Sequence, residues 1–454
     1  VDPPPTTPRA PDPPGPRGWP LLGILPAFGR DPLAFLEGVK RKYGAVSFFR
    51  FVRYRMWLVT EPEDIETLLV KHHQGLHKDH IYEALKPLVG EGLLTSEDAL
   101  WRRQRKLAAP AFRPRQIEGY AETMVRRAEA YASALYDGAV RDLRYEMMAL
   151  TMGIVNETLF GIEGDFDRGV VTQSIDFFMN EGFAVEARGW RAVLPYWVPT
   201  PGRWRVKRAI ERLDAQLMPF IRARRRGDSA GDDLLGRLIA ARDEDGSAMS
   251  DRQVRDEVVT LFFAGHETTA LALLFSLVLL AQHPAARSRL EAEVDEVVGD
   301  RPPRLDDLER LPFVAGVIHE AMRLYPPAWL IAREATQDLP LREHRIRRGD
   351  QVVIAPWLNH RDPRWFDAPL AFRPERWLGD LADRLPRMAY MPFGGGPRVC
   401  IGNHFALAEM RLVLAALTRQ LRLEWTGTPP IVLDPSVSLR VRDPVNVRVR
   451  RRRS

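Results

Sequence analysis

The chain has 454 residues, of which 45% are hydrophobic and 28% charged, which excludes a fibrous protein and a wholly disordered one. A net charge of +6 over this length is too modest to make nucleic acid the default partner. The single cysteine, Cys400, excludes an intrachain disulfide and any multi-cysteine zinc or iron–sulfur site.

Residues 1–20 are dominated by proline and predict an extended, mobile arm. The run AVSFFRFVRYRMWLVT at 45–60 alternates apolar with basic residues and predicts two strands of a small sheet. From about residue 61 to 330 the pattern is mostly helical, with no fixed-period repeat. Ser250 with Gln253 three residues on is a capping-box pattern. It opens a long apolar helix that Gln282-His283-Pro284 closes. At about 32 residues and about 48 Å, that helix must cross the interior. Its most apolar run, Ala270 to Ala281, is too short for a membrane span and is broken by Ser276. A second helix runs from Pro312 to Tyr325 and stops at Pro326-Pro327. After 333 the texture changes to short β-like runs, Arg345–Ile346 and Gln351–Ile354, and then to a loop-rich region at 359–399. A last helix over about 403–420 follows Gly402, and short strands fill 421–450. The fold class is mainly α with small β-sheets (α+β), with residues 21–454 forming a single domain.

Cys400 lies in Phe393-Gly394-Gly395-Gly396-Pro397-Arg398-Val399-Cys400-Ile401-Gly402. The glycines let the backbone pass close to something flat or bulky. The positive end of the following helix favours a thiolate, and free N–H groups there reach the sulfur. A buried structural cysteine and a hydrolytic nucleophile are the other readings; no histidine follows in a loop suited to a Cys–His pair. In the second helix, Glu320 and Arg323 share a face and can pair. In the long helix, Ala264-Gly265-His266-Glu267-Thr268-Thr269 interrupts the apolar pattern. Gly265 costs about 1 kcal/mol relative to alanine there, and a threonine can bond back to the preceding turn. Trp101 and Arg105, four apart, also share a face, and both are hydrogen-bond donors.

The pattern Phe393, Gly396, Arg398, Cys400 and Gly402 matches the signature Phe-x-x-Gly-x-Arg-x-Cys-x-Gly. On these residues the sequence resembles the cytochrome P450 haem-thiolate monooxygenases of the soluble bacterial type, over residues 20–450. The resemblance implies the cytochrome P450 fold, with haem b (iron protoporphyrin IX) between the long helix and the cysteine loop. Cys400 is then the axial ligand of the haem iron. Phe393, Arg398 and Gly402 bind the cofactor, and Trp101, Arg105, Arg398 and Arg333 reach its propionates. Glu320, Arg323 and Arg376 form a buried cluster that fixes the loops around Cys400. The Ala264–Thr269 segment makes an oxygen-binding groove, in which Thr268 hydrogen-bonds the iron-bound oxygen species and its water and Glu267 relays protons from solvent. His266 is a packing or surface residue.

By family position the substrate pocket draws on Leu93, Leu94, Phe178, Phe262, Phe263, Ala264, Ala328, Trp329, Leu330 and Ile331. Phe178–Phe183 and Trp190–Trp197 form an aromatic lid. All these residues are apolar, so a hydrophobic substrate is expected. The implied reaction inserts one oxygen atom from O2, as hydroxylation or epoxidation. Electrons come from NAD(P)H through a separate ferredoxin and ferredoxin reductase. A peroxide-driven haem-thiolate hydroxylase is the alternative, but such relatives generally lack the Glu267–Thr268 pair. A non-catalytic haem sensor or carrier is a further rival. Arg102, Arg103, Lys106, Arg113 and Arg115 form a basic patch that suits an acidic ferredoxin. A cytoplasmic monomer is expected, with no nucleic-acid partner and no membrane span.

Overall fold

The alternating run at 45–60 folds as an antiparallel hairpin of β1 (Val46–Phe51) and β2 (Tyr54–Val59). The computed structural model describes residues 11–161, 174, 177, 178, 200–227, 233–427 and 430–452. These divide into two compact units. The first comprises residues up to Glu83, Trp329–Pro369 and Leu385–Val399. Its sheet adds β3 (Leu76–Lys78), β4 (Ile331–Ala335) and β5 (Gln351–Ile354) in the order β1-β2-β5-β4-β3. The β2–β5 pair is parallel; the others are antiparallel. Trp57, Ile65, Leu68, Ile331, Val352 and Ile354 form its core. Each large apolar side chain so buried contributes about 1.5–3 kcal/mol.

Within the proline-rich arm, residues 11–20 are anchored to this sheet. Asp12 pairs with Arg55 at 2.7 Å, and the Phe48 N–H donates to the Pro14 carbonyl at 3.1 Å. A Cβ on Gly15 would lie 1.6 Å from the Phe48 carbonyl oxygen, so only glycine fits there. Arg55 also pairs with Asp350 at 2.8 Å, and the Trp57 indole donates to the same carboxylate.

The second unit comprises Ala84–Ala328, Leu370–Arg384 and the chain from Cys400 onward. Its main helices are α1 (Asp98–Ala108), α2 (Pro114–Ala134), α3 (Leu143–Phe160), α4 (Pro201–Arg226), α5 (Asp251–Gln282), α6 (Pro312–Leu324) and α7 (Asn403–Gln420). The α5 capping box is complete: the Gln253 N–H donates to Ser250 Oγ, and the Ser250 N–H donates to Gln253 Oε1. The helix packs against α3, while α2 packs against α7. Among the described residues α5 alone is long and apolar enough to cross a bilayer, but 83% of its most apolar window is buried inside the fold. Helix α6 takes its N-terminal cap from a distant carboxylate: Glu293 accepts the N–H groups of Phe313 and Val314 at 2.8 and 2.9 Å. Strands at Val140–Asp142, Leu421–Trp425 and Asn446–Arg451 close the unit as a small antiparallel sheet.

Candidate functional site

Cys400 stands three residues before α7, whose Phe405 ring meets Tyr120 edge-on at 5.8 Å and Phe112 at 6.5 Å. Cys400 is an exposed residue, but protein atoms crowd its sulfur. Burial pushes its thiol above the ordinary value, while the Gly402 N–H and the Arg105 charge pull it down. Arg105 comes from α1. Its guanidinium lies 5.8 Å from the Trp101 ring, so the two share a face, and Trp101 is buried. Burial lowers Arg105 and the Cys400 charge raises it. A cation, an indole and a helix-start N–H therefore accompany the sulfur within this unit.

In the first unit, the loop at 393–399 is shaped by close backbone approach. Gly394 and Gly396 have φ of 75° and 67°. A Cβ on Gly396 would lie 2.0 Å from the Leu69 carbonyl oxygen, and one on Gly395 would lie 2.5 Å from Met388 Sδ. At these two positions the close neighbours are thus the protein's own Leu69 and Met388. Phe393 is half-buried. Burial pushes Arg398 down to about 10. Arg333 on β4 is buried, donates to the Ala332 carbonyl at 2.7 Å, and lies in the field of Asp79. Burial raises the Asp79 carboxyl to about 7, against the lowering effect of two backbone N–H bonds and the Arg333 charge.

Helix α5 carries the decisive pattern. From Val254 to Leu280 every residue is buried except Ala264, Gly265 and Thr268. These lie at i, i+1 and i+4, on one side of the helix. Thr268 Oγ1 donates to the Ala264 carbonyl at 2.8 Å, and Gly265 presents no side chain. Glu267 faces elsewhere. Its Oε1 accepts Ser438 Oγ at 2.7 Å and Arg440 Nε at 2.5 Å. Burial alone would raise this carboxyl, but the Arg440 charge and the two hydrogen bonds outweigh it and hold it below the usual range. His266 is buried, with Nδ1 2.6 Å from the Phe262 carbonyl. Its own carbonyl accepts Thr151 Oγ1 from α3.

Glu320, Arg323 and Arg376 assemble into one buried cluster. Arg323 donates Nε to Glu320 Oε2 at 2.8 Å and Nη2 to Oε1 at 2.9 Å. Arg376 Nε reaches Oε1 at 3.0 Å. Two donors absent from the sequence reading complete it: the Arg373 N–H at 2.9 Å and the Trp377 indole at 2.9 Å. The carboxylate is thus bonded on both oxygens, as a buried charge requires.

The sequence profile of the family described as cytochrome P450 matches residues 13–448. The chain belongs to the cytochrome P450 family. It is 37% identical over 430 residues to the cyclooctatin synthase of Streptomyces melanosporofaciens, covering 93% of this chain and 92% of that protein. It is 31% identical over 440 residues to the pentalenene oxygenase of Streptomyces avermitilis, covering 96% of each. A third relative, cyclooctat-9-en-7-ol 5-monooxygenase of Streptomyces melanosporofaciens, is 32% identical over 431 residues, with 92% and 93% covered. The chain is therefore a cytochrome P450 monooxygenase, and its family cofactor is a thiolate-bound haem. The residues around Cys400 fit that group: a sulfur held by an N–H at a helix start, with Arg105 and Trp101 at hand as donors.

The pocket candidates fall in different settings. Leu93, Phe178, Phe262 and Phe263 are buried; Leu94 and Ala264 are half-buried; Ala328 is exposed. In the first unit Trp329 and Ile331 are buried and Leu330 is half-buried. Apart from Phe178, which is described, most of the expected aromatic lid at 178–183 and all of 190–197 lie outside the described residues. The expected basic patch is partly neutralised. Arg103 pairs with Asp243 at 2.8 Å and Lys106 with Glu244 at 2.5 Å, whereas Arg102, Arg113 and Arg115 are exposed. Sequence reasoning missed Ser438 and Arg440, which lie about 170 residues from Glu267 with no local signal. It also missed Arg255, Asp256 and Glu257. Three consecutive charges in an apolar helix were the signal available for those.

Proposed function

We propose that this P450 oxidises a polycyclic, terpene-type hydrocarbon or its alcohol, by hydroxylation or epoxidation. Electrons come from NAD(P)H through a separate ferredoxin and reductase. The observation that carries the reading is the open Ala264–Gly265–Thr268 face in an otherwise buried helix. A helix core has no packing reason to leave a threonine beside a glycine uncovered, whereas an oxygen-handling site needs a hydroxyl there. The relatives named for pentalenene and for cyclooctat-9-en-7-ol support the substrate class.

In this reading Cys400 Sγ would ligate the haem iron and Trp101 and Arg105, from the same unit, would hold its propionates, with Arg333 and Arg398 of the first unit proposed for the same role. Phe393 and Gly402 complete the cofactor site. The bound haem supplies activation of O2, which no side chain provides. Thr268 Oγ1, anchored to the Ala264 carbonyl, keeps lone pairs with which it would accept a hydrogen bond from a water. Glu267 would relay protons from solvent; its partner Arg440 is 18% exposed. Leu93, Leu94, Phe178, Phe262, Phe263, Ala264 and Ala328 of the second unit would supply an apolar surface for the substrate, and Trp329, Leu330 and Ile331 are the apolar candidates of the first.

The test is a pair of measurements on the purified haem-loaded chain. Reduced protein with carbon monoxide should show the red-shifted Soret band of thiolate ligation. Pentalenene supplied with NADPH, ferredoxin and reductase should yield an oxygenated product. Product from hydrogen peroxide alone, at the same rate, would replace this reading with the peroxide-driven one. No spectral shift and no product across a panel of polycyclic terpenes would remove the substrate class.

A further inference from the structure

The first turns of α5 present three consecutive charged residues, Arg255, Asp256 and Glu257, all buried. The monooxygenase reading gives them no role. They close on one loop, residues 88–93. Arg255 Nη1 donates to the Leu88 carbonyl at 2.6 Å and to Asp256 Oδ1 at 3.1 Å. Asp256 Oδ2 accepts the Glu91 N–H at 3.1 Å, and Glu257 Oε2 accepts the Leu93 N–H at 3.1 Å. Arg255 Nε also pairs with Asp214 of α4 at 2.6 Å. Arg252 Nε adds a weaker contact to Asp256 at 3.4 Å.

Two glycines make the approach possible. Gly90 has φ +59°, and a Cβ there would lie 2.1 Å from the Asp256 carboxylate. A Cβ on Gly92 would lie 2.1 Å from Thr260 Oγ1. The loop is thus seated on the charges themselves, with no side chain between.

Stability does not explain this arrangement. Arg255 is fully buried, and its Nη2 finds no acceptor among the described residues. A buried charge left partly unmet costs more than an apolar residue of the same volume. What the charges do provide is register, because each fixes one backbone atom of the loop.

We propose that Asp256 and Glu257 are positioning residues for substrate recognition. They fix the loop that presents Leu93 and Leu94, and Arg255 couples that position to α4 through Asp214. The proposal rests on the assignment of Leu93 and Leu94 to the substrate pocket. It adds that pocket shape is set from the charged end of α5.

The experiment uses the full haem-loaded chain and two probes, imidazole and 4-phenylimidazole. Both ligate haem iron, but only the second reads pocket shape. Amide hydrogen exchange at Glu91 and Leu93 is measured alongside. In Glu257→Leu the Leu93 amide should exchange about tenfold faster, as expected for one lost hydrogen bond to a charged acceptor. The Kd for 4-phenylimidazole should change several-fold while that for imidazole holds, and Glu257→Gln, which keeps an acceptor oxygen, should restore both. Asp214→Asn, at a partly exposed site, should show the same changes in weaker form and stands in if Glu257→Leu fails to fold. Leu93→Ala separates the two readings. If it alters the azole ratio and neither charge variant does, the clamp is not a positioning device. If Leu93→Ala leaves the ratio unchanged, the pocket assignment and this proposal both fall. Faster exchange with an unchanged ratio would leave the clamp purely structural and overturn the proposal.

Discussion

Glu320 and Arg323 meet one helical turn apart in a two-pronged ion pair that is fully shielded from water, at 2.8 and 2.9 Å. The same carboxylate also holds Arg376, the Arg373 N–H and the Trp377 indole. One side chain on α6 thereby fixes the segment 373–377 by three separate bonds.

Glu320→Ala should therefore be among the most damaging single changes in the chain. Removing one partner of a buried pair costs about 3–5 kcal/mol, and here two arginines and two N–H donors lose their acceptor together. Arg323→Ala should cost less, since Glu320 keeps three donors. The expected ranking in haem per polypeptide and in thermal midpoint is wild type, then Arg323→Ala, then Glu320→Ala. Full haem loading in Glu320→Ala would show that the cluster does not support the cofactor site.

That cluster also marks what a sequence can and cannot show. Glu320 and Arg323 are legible because helical spacing alone puts them on one face. The long helix was legible to the residue at its start, because Ser250 and Gln253 carry their own stop signal for the preceding loop. Arg440 and Ser438 were not legible: nothing near them in sequence distinguishes them from other solvated residues, and only the tertiary fold brings them to Glu267. The charges of Arg103 and Lys106 failed for the same reason, since their partners Asp243 and Glu244 lie about 140 residues away. Close approach at Gly395 and Gly396 was predicted, but not its partners, because a glycine signals proximity without naming the neighbour.

His319 gives the fold a sensitivity to acid. It is half-buried, 5.2 Å from the Trp377 ring. Burial, helped by the Arg411 charge, lowers it to about 4 from an ordinary 6.5. A depressed histidine contributes stability that is fully present above its unfolded pKa and lost as pH falls toward the folded one. Between pH 6.5 and 4 the slope is at most about 1.4 kcal/mol per unit, or about 3 kcal/mol in all. His319→Phe should flatten urea-denaturation midpoints across this window. An identical pH slope in wild type and variant would show that His319 titrates normally.

If electrons come from a ferredoxin, as proposed above, its docking should depend on Arg102, Arg113 and Arg115 and far less on Arg103 or Lys106. The first three are exposed, while the last two already face Asp243 and Glu244. Reduction by an acidic ferredoxin should slow with Arg102→Glu and Arg113→Glu, and should fall as salt rises, because exposed charges are screened beyond about 8–10 Å. Dithionite reduction should be unaffected. A salt-independent stopped-flow rate would move the docking site elsewhere.

Thr268 offers the sharpest test of the proposed oxygen-handling face. Among the described residues its hydroxyl bonds to the Ala264 carbonyl of its own helix, and the residue is half-buried. Thr268→Ala should therefore leave folding intact, since alanine is the better helix former by a few tenths of a kcal/mol, about the worth of the lost back-bond. The haem spectrum and substrate-induced shift should also stay close to wild type. What should fail is coupling. General acid–base groups typically contribute about 10²–10⁴-fold, and a water recovers part of that. NADPH consumption should continue, oxygenated product should fall, and hydrogen peroxide should rise. Glu267→Gln should slow turnover and enlarge the solvent isotope effect, because it removes the carboxylate that Arg440 and Ser438 hold at this turn. Arg440→Leu separates supply from structure: with its cation gone, burial should raise the Glu267 carboxyl, shifting the pH profile of coupling upward while leaving substrate affinity alone. Product per NADPH, with peroxide measured in the same vessel, decides the matter. Wild-type coupling in Thr268→Ala would show that proton delivery runs through water or substrate and not through this hydroxyl.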